Sequence, residues 1–207
     1  MTARAESAQL TREQIMSATF ALSTLKPIMA INLPDIANLA EVSVQTVLRH
    51  FGSREGVLDA TTAWVQTQVL AERESDPGNV PAAIRTLIDH YELRGDGVLL
   101  LLGQESWEPR AAQITADGRL LHRTWVAHVF SPLLTDASQR SSDATDTDAG
   151  RRNFEVDINL KLEAMLDLLV VATDVYAWKL LRRDRRLSRS DTEKLMLRLV
   201  GNVLKGQ

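Results

Sequence analysis

The chain has 207 residues and a formal net charge of −3, from 27 Asp and Glu against 24 Lys and Arg; it is 44% hydrophobic and 25% charged, with 10 Gly, 6 Pro and no Cys. That length allows one large domain or two small ones around a substantial core. The missing Cys excludes disulfides and thiolate metal sites, and the slightly acidic balance excludes wholesale polyanion binding while leaving room for a local basic patch.

The composition predicts a soluble globular protein of a reducing, cytoplasmic interior. The opening MTARAESAQLTREQ has no apolar stretch of the kind a secretory signal needs. The most apolar segment, 160–181, is interrupted by Lys161, Glu163, Asp167, Asp174 and Lys179, so neither a membrane span nor a membrane partner is expected.

Apolar residues recur at helical spacing nearly throughout, and long alternating strand patterns are missing, which predicts an all-α fold. Residues 1–10 are small and polar and are expected to be disordered. A first helix fits 11–25: Thr11 and Gln14 match a capping box, Ile15, Ala18, Leu22 and Leu25 make a stripe, and Pro27 stops it. A short helix fits 33–40, with Asn32 as N-cap, Pro34 in the first turn and Asp35 as the acidic residue there. Another fits 44–51, capped by Ser43. A fourth runs from Ser53 towards residue 73, until ESDPGNVP breaks the pattern. Helices are then expected over 80–94, 97–105 after a break at RGDG, 109–134, 152–184 and 190–204. Residues 135–150, TDASQRSSDATDTDAG, are polar and read as a flexible acidic loop.

Residues 33–51 have the dimensions of a helix-turn-helix. Ala37 is small where two helices must approach, Val42 can plug the turn, and Val47 and Phe51 lie four apart and face inward. Val44, Gln45, Thr46, Leu48, Arg49 and His50 are left to face outward. Gln45 suits an adenine edge, while Thr46 or Val44 suits a thymine methyl. The N-terminus of the helix, opened by Ser43, attracts phosphate.

The stretch LPDIANLAEVSVQTVLRHFGSREGVLDA resembles the DNA-binding signature of the TetR family of transcriptional regulators. The likeness covers roughly 11–60 and rests on Ile36-Ala37, Val42-Ser43, Thr46, His50-Phe51 and Ser53-Arg54-Glu55. It implies that the third helix enters the major groove, with His50 and Arg54 meeting phosphates. It also implies a ligand-binding and dimerisation bundle in the remainder; AWKLLRRDRRLSR resembles some members too. Two residues depart from the pattern. Glu41 stands where the family usually has Gly, at a cost of about 1 kcal/mol if the backbone must be left-handed, and Leu48 stands where a phosphate-bonding Tyr is frequent. Segment 11–60 holds four cations (Arg12, Lys26, Arg49, Arg54) against five acids (Glu13, Asp35, Glu41, Glu55, Asp59), which predicts a modest salt dependence.

The expected organisation is a helix-turn-helix DNA-binding domain at 11–52, a connecting helix at 53–74, and an effector-binding and dimerisation domain at 80–207. The expected DNA-binding set is Asn32, Ser43, Val44, Gln45, Thr46, Leu48, Arg49, His50 and Arg54. Tyr91, Leu102, Trp107, Trp125, Phe130, Met165 and Tyr176 are candidates for a ligand pocket, with plain core as the competing reading. The longest helix carries two apolar stripes. One suits the core and the other a homodimer contact, assigned with the last helix to Leu168, Ala172, Val175, Met196, Leu199 and Val203.

The expected partners are palindromic double-stranded operator DNA, a second copy of the chain and a small-molecule effector. The expected function is a ligand-responsive transcriptional regulator, a repressor by resemblance; the alternative is a helical sensor or carrier with weak or lost DNA binding. His50, His90, His122 and His128 lack metal-site spacing and read as core or rim residues. GDGVLLLLG is too short of GxGxxG and follows no strand, and neither GxSxG nor a P-loop occurs. No catalytic residue, metal or cofactor is expected, and the chain is not read as an enzyme. The basic run from Lys179 to Arg189 is read first as a solvated helix end, then as a clamp on the acidic loop, then as a DNA contact.

Overall fold

A computed structural model of the chain describes residues 3–142 and 148–205, with side chains described for 5–135 and 159–205. The described residues form helices and no strand, and no helix among them is long and apolar enough to cross a membrane. In chain order the helices are α1 (Ala3–Ser23), α2 (Leu33–Leu39), α3 (Val44–Phe51), α4 (Arg54–Glu72), α5 (Val80–Leu102), α6 (Pro109–Ser142), α7 (Asp148–Thr173), α8 (Val175–Lys179) and α9 (Arg189–Lys205). A 3₁₀ turn occupies Ile28–Ala30 and a π-helical turn Leu180–Asp184.

The chain divides into two compact units, Met1–Glu72 with Arg94–Asp117, and Arg73–Leu93 with Gly118–Gln207. This differs from the linear division into 11–52, 53–74 and 80–207. The reason is visible in the first unit, where Ile28 and Leu58 bury against Ala111, with Leu101 and Ile114 packed on them. Residues 94–117 complete the core beneath the N-terminal helices.

The first unit's main core gathers Ile15, Ala18, Ile31, Ile36, Ala37, Ala40, Val47 and Val57. α1 begins at Ala3, where disorder was expected over 1–10. Ala, Arg, Glu and Gln extend a helix readily once its core-facing turns are held. Thr11 therefore caps nothing, and its hydroxyl donates to the Ser7 carbonyl at 3.0 Å. Leu25 lies past the end of α1 and is exposed rather than on the buried stripe.

α5 is continuous where RGDG suggested a break. Glycine in a helix costs about 1 kcal/mol, and tertiary packing supplies the reason for Gly97. A Cβ there would lie 2.9 Å from Thr24 Cγ2, so the glycine lets the end of α1 lie against α5.

In the second unit each helix buries a stripe at helical spacing: Ile84, Leu87, Ile88 and Tyr91 on α5; Trp125, Val126, Val129 and Phe130 on α6; Met165, Leu169 and Ala172 on α7; Met196 and Val200 on α9. α6 runs through Pro132 and on to Ser142, beyond the expected end at 134. Proline leaves a carbonyl one turn back without its N–H. Here the His128 carbonyl accepts the Ser131 hydroxyl at 2.9 Å, and the Val129 carbonyl accepts the Gly78 N–H at 2.8 Å. The helix covers 135–142 of the expected loop, because no Gly or Pro breaks it there; residues 143–147 lie outside the described residues.

The expected single helix over 152–184 divides at Asp174. Its backbone is extended (φ −69°, ψ 154°) and its carboxylate accepts the Tyr176 N–H at 2.8 Å, capping α8. The basic run that follows is mostly paired. Lys179 meets Asp184, Arg182 meets Glu92 at 2.8 Å, Arg189 meets Asp89 and Glu193, and Arg183 covers the Trp178 ring at 4.4 Å. These cations hold α5, α8 and α9 together, a role outside the three readings of the sequence. The side chains of the acidic segment on which a clamp was considered lie outside the described residues beyond position 135.

Candidate functional site

α2 and α3 are defined at their starts by side chains. Asn32 Oδ1 accepts the Asp35 N–H at 2.9 Å, and Ser43 Oγ accepts the Thr46 N–H at 3.1 Å. Each satisfies one of the donors a helix N-terminus leaves over. The Ser43 and Thr46 hydroxyls also bond each other at 2.9 Å.

α2 ends in a Schellman motif: the Val42 N–H reaches the Ala37 carbonyl at 2.9 Å and the Glu41 N–H the Asn38 carbonyl at 3.2 Å. The motif needs a left-handed residue, and Glu41 supplies it at φ 53°. Val42 then packs on the buried core beside Ala37, which closes the turn.

α3 is anchored by Val47, fully buried, and by Phe51 and Val44 packed against the same core. Val44 was expected to face outward; its place at the first turn turns it inward instead. Gln45 and Arg49 are exposed. They lie about 40° apart around the helix axis and roughly opposite Val47 and Phe51. Thr46, Leu48 and His50 are half-buried beside them, and Ser43 and Asn32 are exposed at the two helix starts.

The far end of α3 is tied down by Arg12 of α1. Its guanidinium donates to the His50 carbonyl at 3.0 Å and lies over the Phe51 ring at 4.3 Å. A cation at a helix C-terminus also opposes the helix dipole. Partial burial, then Arg49 and Arg12, hold the His50 pKa below its ordinary value, so the imidazole is neutral at pH 7. Gly56 permits α4 to meet α3 here, since a Cβ would fall 2.2 Å from the Phe51 carbonyl oxygen.

Arg54 occupies a different place from the one expected. Its Nε donates to the Ile31 carbonyl and its Nη2 to the Ile28 carbonyl, both at 2.6 Å, while Nη1 meets Glu55 at 3.2 Å. It fastens the start of α4 to the segment between α1 and α2. Lys26 is paired with Asp35, and Asp59 with Arg110. Of the four cations in 11–60, Arg49 alone has no partner among the described residues. Neither Arg12 as the clamp on α3 nor Arg54 as a carbonyl staple had a sequence signal, because both partners lie far along the chain.

Residues 15–61 match the model of the tetR family of bacterial regulatory proteins. The N-terminal head is similar to the domain that this model describes. No curated protein matches the chain. Among solved structures, a transcriptional regulator from Rhodococcus sp. Rha1 is 18% identical, with a TM-score of 0.63 over 94% of this chain and 96% of that one. A protein assigned to the TetR family of transcriptional regulators, also from Rhodococcus, is 16% identical, with a TM-score of 0.59 over 94% and 99%. The helical remainder therefore continues in a fold that such proteins share.

The seven pocket candidates divide between the two units. Tyr91, Trp125, Phe130 and Met165 are buried in the second unit, whereas Leu102 and Trp107 belong to the first, and Trp107 and Tyr176 are each 51% exposed. Tyr176 is turned out because α8 starts anew at Asp174 and shifts the register of the stripe. The dimer candidates divide as well. Ala172, Val175 and Met196 are buried within the protomer, while Leu168 and Leu199 are exposed and Val203 is half-buried.

A polar cluster missed from the sequence lies in the second unit. Arg73, His90, His122 and Thr173 are each buried, and Trp125 Nε1 donates to the Arg73 carbonyl at 2.8 Å. His122 was read as an ordinary core or rim residue; its burial is as read, its company is not. No group of three or more His, Asp or Glu among the described residues is placed to hold a metal ion.

Proposed function

We propose that the chain is a DNA-binding transcriptional regulator that acts as a homodimer, represses from a palindromic operator and is released by a small-molecule effector. The observation that carries this is the face of α3. Gln45 and Arg49, the latter without a partner among the described residues, stand side by side and exposed, on a helix capped by Ser43 and pinned through Val47, Phe51 and Arg12. A rigid helix that offers a carboxamide and a guanidinium in one row suits base edges and phosphates in a major groove. Asn32, Ser43, Thr46 and His50 border that row and suit the backbone; a neutral imidazole still donates one hydrogen bond. Repression follows the family resemblance.

A homodimer supplies two such helices, which a palindromic site meets roughly 34–36 Å apart. Its support is the exposed apolar row Leu160, Leu168 and Val171 on α7, beside Leu195 and Leu199 on α9, which packs against α7. The effector favours a spacing of the heads that no longer fits the operator, and operator DNA must weaken effector binding by the same factor.

Fluorescence anisotropy with labelled DNA from upstream of the gene tests the reading. Gln45→Ala with Arg49→Ala lowers specific binding by about 1–3 kcal/mol for a lost base contact and flattens the salt slope by about 1 for a lost phosphate contact. Wild type without sequence preference at low salt sinks the regulator and leaves a helical sensor or carrier. In sedimentation, wild type is a dimer at micromolar concentration and Leu168→Glu a monomer; a monomeric wild type overturns the homodimer.

A further inference from the structure

The second unit contains a buried cation to which no carboxylate is bonded among the described residues. Arg73, the residue after α4, is 7% exposed. Its Nη2 lies 2.7 Å from His122 Nδ1, its guanidinium sits 4.7 Å from the Trp125 ring centroid, and its Nε has no partner. Among the described residues no carboxylate bonds it. Glu72, its chain neighbour, is 2.7 Å from Arg94 Nε in the first unit. Arg94 is as buried, at 6%, and has both Glu72 and the Gln68 carboxamide oxygen at 2.9 Å. Among the described residues, one buried arginine has its acid and the other has none bonded to it.

Among the described residues no carboxylate bonds Arg73; Asp174, whose charge reaches Tyr91, has its carboxylate on the Tyr176 N–H. Guanidinium only donates, so His122 Nδ1 accepts and the ring's hydrogen is on Nε2, directed at Thr173 Oγ1 3.1 Å away. The Thr173 hydroxyl donates to the Leu169 carbonyl at 2.7 Å, and the Tyr91 hydroxyl to the Thr173 carbonyl at 2.9 Å. His122 is neutral: burial, then Arg73, holds its pKa down to about 3. Among the described residues Arg73 spends one of its five N–H donors, on His122, and what is left over includes its positive charge, its Nε hydrogen and the second hydrogen of Nη2. Burying such a charge unpaired is strongly unfavourable, and the chain retains it.

We propose that Arg73 is the anchor for the carboxylate of a small organic acid with an apolar body, and that this acid is the effector of the regulator described above. The inference rests on that reading for the word effector, and on the cluster alone for the ligand. Nε–H and the second hydrogen of Nη2 form the side-on fork that a carboxylate fills with two parallel bonds. One negative charge neutralises the cluster. Arg73, His122, Tyr91 and Trp125 each keep 5–8% of their surface exposed, whereas Val126, Val129 and Phe130 on the same α6 stripe keep none. The polar members therefore keep a trace of surface that the apolar ones lack, and the Trp125 face beside them suits an apolar body.

Calorimetric titration and thermal shift of the full chain test this with benzoate and hexanoate, their neutral amides benzamide and hexanamide, and inorganic phosphate. At least one carboxylate binds saturably and raises the melting temperature, its amide binds at least about thirtyfold more weakly, and Arg73→Met loses affinity by a similar factor. Arg73→Lys, which keeps the charge without the fork, falls between. Arg73→Met removes an unpaired buried charge and folds as well as wild type. Should it fail to fold, wild-type acid against amide and His122→Asn, which frees the bond now made to Nη2 without removing the charge, still decide.

Equal binding of acid and amide, no binding by either acid up to millimolar concentration, stronger binding of phosphate than of either acid, or undiminished binding by Arg73→Met overturns the proposal. DNA anisotropy without any acid separates the two readings. Operator binding by a chain that binds neither acid in calorimetry sinks this inference alone. Acid binding with no operator preference sinks the regulator and leaves an acid sensor or carrier.

Discussion

Arg54 separates a structural reading from a recognition reading of the same residue. In the structure its guanidinium serves two main-chain oxygens, Ile31 and Ile28, at 2.6 Å each. The Ile28 carbonyl also receives the Ile31 N–H at 3.1 Å, so it keeps a partner when the side chain is removed. The Ile31 carbonyl has no other donor among the described residues. Arg54→Ala therefore leaves one carbonyl unpaired, at about 1–3 kcal/mol, and deletes a second charged bond, at about 1 kcal/mol beyond the retained one. The exposed pair with Glu55 adds little. The sum is about 2–4 kcal/mol, a fall in melting temperature on the order of 10 °C for a chain of this size.

Arg54→Lys, with a single ammonium, restores one bond and recovers about half. The assay is thermal and urea unfolding followed by circular dichroism, with operator affinity measured at a temperature where every variant is folded. A variant Arg54→Ala as stable as wild type, but weak on DNA with a flatter salt slope, refutes the staple and restores the phosphate contact.

Two further outcomes follow from the same geometry. Glu41 is left-handed at φ 53°, which costs an L-residue about 1–2 kcal/mol, while glycine gives back about 0.5–1 kcal/mol in chain entropy. Glu41→Gly is therefore more stable by about 0.5–1 kcal/mol in urea unfolding, and Glu41→Ala, which keeps the strain, is not; equal gains for both would show that the carboxylate, not the backbone, was the burden. His122 has its folded pKa depressed to about 3 from an ordinary 6.5. Its contribution is intact above pH 6.5 and is lost as pH falls towards 3, by about 1.4 kcal/mol per unit. Between pH 7 and 5 wild type loses about 2 kcal/mol more than His122→Asn, and parallel stability curves for the two would contradict a buried neutral imidazole.

What could be read from the residues in order was local. The starts of α2 and α3 at Asn32 and Ser43, the Schellman turn filled by Glu41, and the inward pair Val47 and Phe51 all depend on groups within five positions of each other. Hydrogen bonds at i, i+3 and i+4 and a helical stripe are written in the spacing itself, so α3 and its exposed Gln45 and Arg49 were legible before any coordinates.

The remainder depended on partners far along the chain. Arg54 looked like a phosphate ligand until Ile28 and Ile31 took its donors. Gly97 looked like a break until Thr24 was found against it. Val175 looked like a dimer contact until the break at Asp174 turned it inward, and Met196 until α9 packed against α7. Arg73 is the clearest case. Nothing near it in sequence distinguishes it from Arg94, and only the fold decides that Glu72 faces Arg94 while Arg73 faces His122 and Trp125. A side chain's propensity and period are properties of its neighbours in the chain, but its charge balance and hydrogen-bond count are properties of the space it is folded into.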